Sequence, residues 1–374
     1  MIKTFVGNLG EWSEPYALLK IISDGFLQEG DKNYKTLNSK HEVKSLTKPQ
    51  KNGDLVIKLA EGFAEVQYNG LCKSVSRQSF TRYSEFLFEN LSRCKKEGST
   101  NKIEVPEVTT FLPEILVDSL KAHSSSNADI QLKIIDHRTS KEQDRGFSVK
   151  SQLGSPSHLL NHSGRNTCFG YIINGLNAQQ LHFFRNNKWG RSKVVEKVRF
   201  LDQLKRSGDI VIHPKDRPEG DLFYRNLILV DDGMPTILSS FLWEAYINGE
   251  TEVKSVLPYI VKADPNRYGC HFENEDLFYK RKFKEFLVAC SMGLTGAKLW
   301  SGRYQSDGGY IVVLKSGNII SYHIYDRHNF EDYLFYNTRQ DTPASSKKKG
   351  NFGDIYLNDG NYEFYLNLSL RFTK

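Results

Sequence analysis

Residues 129–153 read DIQLKIIDHRTSKEQDRGFSVKSQL. Ile130, Leu132 and Ile134 share one face of a period-two run. A charged turn follows, and then Phe147, Val149, Ser151 and Leu153 alternate with Ser148, Lys150 and Gln152. Two period-two runs joined by a polar loop predict a β-hairpin. In a strand, side chains two apart share a face, so Ser148, Lys150 and Gln152 project together. Folding the chain back near residue 140 sets Asp129 beside Lys150 and Gln152. An acid, a lysine and an amide then converge at the open end of one hairpin.

Outward from this hairpin the chain mixes helices and antiparallel strands. Residues 11–24 carry Leu18, Leu19 and Ile22 at helical spacing, with Gly25 as a stop and Pro15 expected in the first turn. KSLTKPQKNGDLVIKLAEGFAEVQYNG predicts a hairpin turning at Lys51-Asn52-Gly53. SFTRYSEFLFENLSRCKK predicts a helix, and EVTTFLPEILVDSLKAH a second one bent at Pro113. Ser124–Asn127 reads as a polar breaker.

Helices are also expected over RSKVVEKVRFLDQLKRSGD (a basic one, with Val194, Val198 and Leu201 on one face), MPTILSSFLWEAYING and EDLFYKRKFKEFLVACSMGL. Two further hairpins turn at Ser316-Gly317-Asn318 and Asn358-Asp359-Gly360. After the last turn, Tyr362, Phe364, Leu366, Leu368, Leu370 and Phe372 are expected on one face of a single strand. The fold class is therefore α/β in the mixed α+β sense.

Composition narrows the function classes. With 39% hydrophobic and 25% charged residues the chain is that of an ordinary globular protein. No window approaches a membrane span and the N-terminus lacks a secretory apolar core, so the expected location is the cytoplasm. Cys72, Cys94, Cys168, Cys270 and Cys290 are scattered and show no C-x-x-C pair, which argues for free thiols rather than disulfides or a cysteine zinc site. A net charge of +7 suits a polyanion partner without requiring one. Trp12, Trp189, Trp243 and Trp300 read as packing aromatics. YHIYDRH brings His323, Asp326 and His328 together in sequence, but a strand would send the two histidines to opposite faces.

The trio at the hairpin end suits phosphodiester hydrolysis. A carboxylate can hold Mg²⁺, which polarises phosphate and acidifies water. A lysine can stabilise the developing negative charge. Nuclease sites of this kind have the form Asp, a spacer, then Asp/Glu-x-Lys. Here the form is Asp129, eighteen intervening residues, then Ser148-Val149-Lys150: the spacing fits and the second acid is missing. An acid followed by a distant lysine is also a common chance pattern, with Lys150 as a surface charge. Asp136 is a rival acid on the apolar face, and Asp144 reads as a solvated charge. Glu11 and Glu14 in GEWSEPY can supply the missing carboxylate, or can simply favour a helix N-terminus.

Three blocks together resemble the HpaII-type restriction endonucleases. They are GEWSEPYALLKIISDG, GFSVKSQLGSPSHLLN and the ending YHIYDRHNFEDYLFYNTRQDTPASSKKKGNFGDIY with LNLSLRF. They span positions 10–25, 129–174 and about 300–372. The resemblance implies a PD-(D/E)xK restriction-endonuclease-like core and Mg²⁺-dependent cleavage of double-stranded DNA at a short palindrome, CCGG in the namesake. It implies Asp129 as a metal-binding acid and Lys150 as the catalytic lysine. Ser148 departs from the pattern, which makes Glu14, Glu11 and Gln152 candidates for the missing group. Of these, Glu14 is taken as the second metal ligand and Gln152 as a further catalytic residue.

The loop LGSPSHLLNHSG and the basic TPASSKKKG are candidate backbone contacts to DNA. Residues 1–190 are expected to hold the nuclease core, and 191–374 to complete the fold and contact DNA. A cognate methyltransferase is the expected companion, and a homodimer one natural answer to a palindrome. Two rival functions remain: a DNA-binding protein of this fold without cleavage, and a structure-specific repair nuclease.

Overall fold

A computed structural model describes residues 4–96, 102–123, 128–190, 192–269, 277–303, 308–342 and 352–373. The expected breaker Ser124–Asn127, the Lys347–Lys349 run and Cys270 lie outside them; the other four cysteines are free thiols. The fold is mixed α/β, with ten helices and four sheets among the described residues. No helix there is long and apolar enough to cross a membrane.

The chain opens with β1 (Val6–Gly7), α1 (Leu9–Asp24), β2 (Phe26–Gly30), β3 (Thr36–Gln50), β4 (Gly53–Leu59), β5 (Phe63–Tyr68) and β6 (Leu71–Ser76). Then come α2 (Arg77–Lys96), β7 (Ile103–Glu104), α3 (Pro106–Glu114), β8 (Ile130–Ile135) and β9 (Glu142–Ser151). A second group follows: β10 (His158–Leu160), β11 (Cys168–Asn174), α4 (Ala178–Asn186), α5 (Lys193–Arg206), β12 (Val211–Pro218), α6 (Asp221–Val230), α7 (Met234–Asn248), α8 (Val253–Ala263) and α9 (Leu277–Ser291). The chain ends through β13 (Gly309–Val313), β14 (Ile319–His323), α10 (Arg327–Tyr336), β15 (Thr338–Gln340), β16 (Ile355–Asn358), β17 (Asn361–Asn367) and β18 (Leu370–Phe372).

Two compact units result: residues 1–157 with 305–333 and 374, and residues 158–304 with 334–373. The β13–β14 hairpin belongs to the first unit.

In the first unit nine strands run β2-β14-β13-β9-β8-β3-β4-β5-β6. β2 also pairs with β3, so the strands from β2 round to β3 close into a ring. This works because β3 is fifteen residues long: its first half pairs with β2 and its second half with β8 and β4. β13 runs parallel to β9, in the register Tyr310↔Ser148 and Val312↔Lys150. α1 is buried on nearly all sides, through Trp12, Tyr16, Leu18, Leu19 and Ile22 among others. Its burial explains why a helix with little polar contrast forms here: packing rather than propensity holds it.

In the second unit β12-β11-β17-β16 form one sheet and β10-β18-β15 another. Asp359 and Gly360 both have positive φ at the tip of β16–β17, as a two-residue hairpin turn of this hand requires. Trp12, Trp243 and Trp300 are buried, as packing aromatics should be, and Trp189 is half-buried.

Three local expectations need correction. α1 starts at Leu9, not at residue 11, because Asn8 and Glu11 form a capping box; Pro15 therefore lies in the second turn, inside the helix. α3 ends at Glu114 rather than bending at Pro113, and Leu116 turns the chain with φ 59°. The terminal strand is broken at Leu368-Ser369, so its halves join different sheets, and β17 is buried on both faces from Glu363 onward rather than on one.

Candidate active site at the open end of the hairpin

β8 and β9 pair as the sequence predicts, from Ile130↔Phe147 to Ile135↔Glu142, with Ile130, Leu132 and Ile134 buried. Asp129 sits just before the first pair. Its backbone N–H donates to the Phe147 carbonyl at 2.9 Å, and its Oδ2 accepts the Val149 N–H at 2.7 Å. The carboxylate is thus fixed against the residue that precedes Lys150. Lys150 itself is half-buried, with Nζ 4.9 Å from the Tyr310 ring centroid on β13. Burial lowers its pKa from the usual lysine value, while the charges of Asp129 and Glu14 act in the other direction.

The two N-terminal glutamates separate cleanly. Glu11 closes the helix cap: its Oε2 accepts the Asn8 N–H at 2.8 Å, and its Oε1 lies 2.8 Å from Lys121 Nζ. Glu14, one turn further on, is half-buried and its Oε2 accepts the Ala122 N–H at 2.9 Å. Burial and the neighbouring Asp129 charge push Glu14 up to about 7. Burial is the larger cause; the Asp129 charge adds to it, and a bound cation would relieve both carboxylates. Glu14 therefore stands with Asp129 and Lys150, and Glu11 does not.

α1 is tied to β9 at this point. Ser13 Oγ donates to the Leu9 carbonyl at 2.8 Å and accepts from the Ser151 hydroxyl at 2.7 Å, one residue before Glu14 and one after Lys150. A Cβ on Gly154 would stand 3.1 Å from the Gly10 backbone nitrogen, so the loop beyond Lys150 runs close against the first turn of α1. Ser148, at the position of the absent acid, lies opposite Tyr310. Gln152 is placed differently from Lys150: its Oε1 accepts the Lys315 N–H at 3.3 Å. At the start of β10, His158 faces Arg371 at 2.6 Å and Asp341 at 3.7 Å. Of the rival acids, Asp136 is buried and accepts the Arg138 N–H at 2.8 Å, and Asp144 is exposed.

The site contains a second lysine that the sequence reading did not single out. Lys48 on β3 is only 1% exposed, and its Nζ donates to the Lys121 carbonyl at 2.9 Å. Burial lowers its pKa, against the opposing charges of Glu14, Asp118 and Asp129. A signal existed: Leu46, Lys48 and Gln50 share the inward face of one strand, so a lysine stands where the period-two pattern calls for an apolar residue.

Two oxygen-donor side chains beside two lysines have the chemistry that suits a hard divalent cation. Mg²⁺ is commonly held by one or two carboxylates, with water or phosphate filling the other positions. The donor set fits that ion: Asp129 and Glu14 would hold it.

A family model described as HpaII restriction endonuclease matches residues 8–372. The chain belongs to the HpaII restriction endonuclease family. Among its relatives is the type II restriction enzyme HpaII of Haemophilus parainfluenzae, 33% identical over 374 residues and covering 100% of both chains. No solved structure matches this chain. The family match runs through both units and contains every residue of the candidate site.

Proposed function

We propose that this type II restriction endonuclease hydrolyses double-stranded DNA at a short palindrome of the CCGG type, using Mg²⁺ at Asp129 and Glu14. The observation that carries this reading is that Glu14, held by the Ala122 N–H, and Asp129, held by the Val149 N–H, both bear electrostatically on Lys150. Glu14 would supply the carboxylate that Ser148 does not. The order of strands around β9 supports a PD-(D/E)xK-like core, with α1 contributing the second acid.

Asp129 is held by the Val149 N–H, so its free oxygen keeps a fixed direction as the cation ligand. Glu14 must be deprotonated to share that task. Bound Mg²⁺ would act as a Lewis acid towards the scissile phosphate and lower the pKa of the attacking water. Lys150, its ammonium packed on Tyr310, neutralises charge as it builds on the phosphate oxygens. Lys48 keeps the carboxylate pair from accumulating uncompensated negative charge. Gln152, held by the Lys315 N–H, positions the end of β9 beyond Lys150. A cognate methyltransferase protecting the same sequence, action in the cytoplasm and a twofold dimer on the palindrome complete the proposal.

The test is incubation with plasmid DNA and Mg²⁺, followed by sequencing of the fragment ends. The proposal expects a fixed banding pattern with every end inside a CCGG. A fixed pattern at another sequence would overturn the specificity and keep the chemistry. Binding without cutting would identify a DNA-binding protein of this fold, and nicking only at junctions or lesions a repair nuclease.

A further inference from the structure

The closure of the strand ring gathers a second group of side chains. Glu29 on β2, His41 on β3 and His137, just past β8, each offer a ligand atom, and these atoms all lie within 4.8 Å of one another. Glu29 and His41 are 4% and 1% exposed, and His137 is exposed. His41 Nε2 lies 2.9 Å from Glu29 Oε1, and the His41 and His137 ring centroids are 4.8 Å apart. The group is remote from the active site. Asp129 and His137 flank opposite ends of β8, whose six residues span about 20 Å at the rise of an extended strand.

A fourth side chain makes this more than a buried Glu–His pair. His323, the last residue of β14, is 3% exposed and its ring centroid lies 6.2 Å from that of His41. Its Nδ1 accepts the Tyr325 N–H at 3.1 Å, which leaves the ring proton on Nε2. Among the described residues that Nε2 has no hydrogen-bond partner. A buried donor left unmatched costs about 1–3 kcal/mol, so a fold that keeps one beside a ligand-rich cluster points to an acceptor that joins the cluster.

We propose that Glu29, His41 and His137 bind one Zn²⁺ ion, with a water in the fourth position accepting from His323 Nε2–H. Two imidazoles and a carboxylate are a zinc donor set, and they differ from the all-oxygen set that suits Mg²⁺. On binding, the ion replaces the His41 Nε2–H···Glu29 hydrogen bond. The ring proton moves to Nδ1, so the His137 N–H gives up its long 3.4 Å contact with that nitrogen and must turn to water. The ion would staple β2, β3 and the β8–β9 loop where the ring closes. Its role is structural, and the proposal stands whether or not the active-site reading does.

The test is zinc titration of the chelator-treated full chain by calorimetry, together with Co²⁺ absorption spectra. The expected result is about one Zn²⁺ per chain, with excess Mg²⁺ not competing. The melting temperature should fall on chelation, as for any ligand bound only by the folded state. His137→Gln, which alters an exposed side chain, should weaken zinc at least about tenfold and abolish the visible Co²⁺ bands. Asp129→Ala should leave both unchanged. No zinc binding at micromolar concentration, or binding that survives His137→Gln, would overturn the site. His41→Gln should weaken zinc likewise; if it fails to fold, His137→Gln decides alone.

Discussion

The two ends of the β8–β9 hairpin are built from opposite chemistries. At the open end, half-buried carboxylates at Asp129 and Glu14 stand beside Lys48 and Lys150. At the turn end, Glu29 and two imidazoles meet under near-complete burial of two of the three. In the reading proposed above, the surroundings of one hairpin offer an oxygen donor set for an exchangeable ion at one end and a nitrogen-rich set for a retained ion at the other. The difference teaches how a ring of strands can be fixed at one end and left open to substrate at the other.

The comparison breaks most visibly at the open end. Asp129→Ala and Lys150→Ala should each slow DNA cleavage at least about 10³-fold, equivalent to about 4 kcal/mol of barrier, while DNA binding measured by gel shift stays close to wild type. Full activity in either variant would return Lys150 to the status of a surface charge. Neither substitution should alter zinc content, whereas His137→Gln should alter zinc content and leave cleavage within a few-fold.

Lys48 sharpens the electrostatics of the same end. Its charge lowers the Glu14 pKa. Lys48→Met removes that charge, so Glu14 should hold its proton to higher pH, moving the acid limb of Mg²⁺-dependent cleavage up by as much as about one unit. A pH–rate profile in single turnover reads this directly. An unmoved limb would show that Lys48 serves packing alone.

Glu14 also carries a stability consequence. Its folded-state pKa is raised from 4.5 to about 7, so the folded chain holds that proton more tightly than the unfolded one. The associated stability is full below about pH 4.5 and is lost as pH rises through about 7. In the metal-free protein at pH 8, Glu14→Gln should therefore gain about 1–2 kcal/mol by denaturant titration, and at pH 4 about none. A loss at pH 8 would contradict the placement of two acids together. The smallest effect is expected at Tyr310: losing the ring under Lys150 in Tyr310→Leu should cost about two- to fivefold in rate, with Tyr310→Phe restoring it.

The open end was legible in the sequence because its parts are local. Asp129 and Lys150 lie on adjacent strands of one hairpin, and period-two alternation gives both register and facing. Glu14 could be nominated only beside Glu11, since the choice between them depends on where the helix starts. The capping box at Asn8 sets that start. The turn end left no such trace. Glu29, His41, His137 and His323 come from four segments joined by the β2–β3 closure and the parallel β9–β13 pairing. Long-range pairings of this kind have no local spacing, which is why His323 was weighed against His328, its neighbour in sequence, rather than His41, its neighbour in space. The break at Leu368-Ser369 escaped for a related reason: an apolar alternation continues through it while the pairing partners change.

The most direct test of the central claim is single-turnover cleavage by Glu14→Gln and Glu11→Gln at saturating DNA and Mg²⁺. With Glu14 as the carboxylate that replaces the acid absent at Ser148, Glu14→Gln falls by at least about 10²-fold while still binding DNA. Glu11→Gln stays within a few-fold, losing only the share of a helix cap. An inactive Glu11→Gln beside a normal Glu14→Gln would contradict the account.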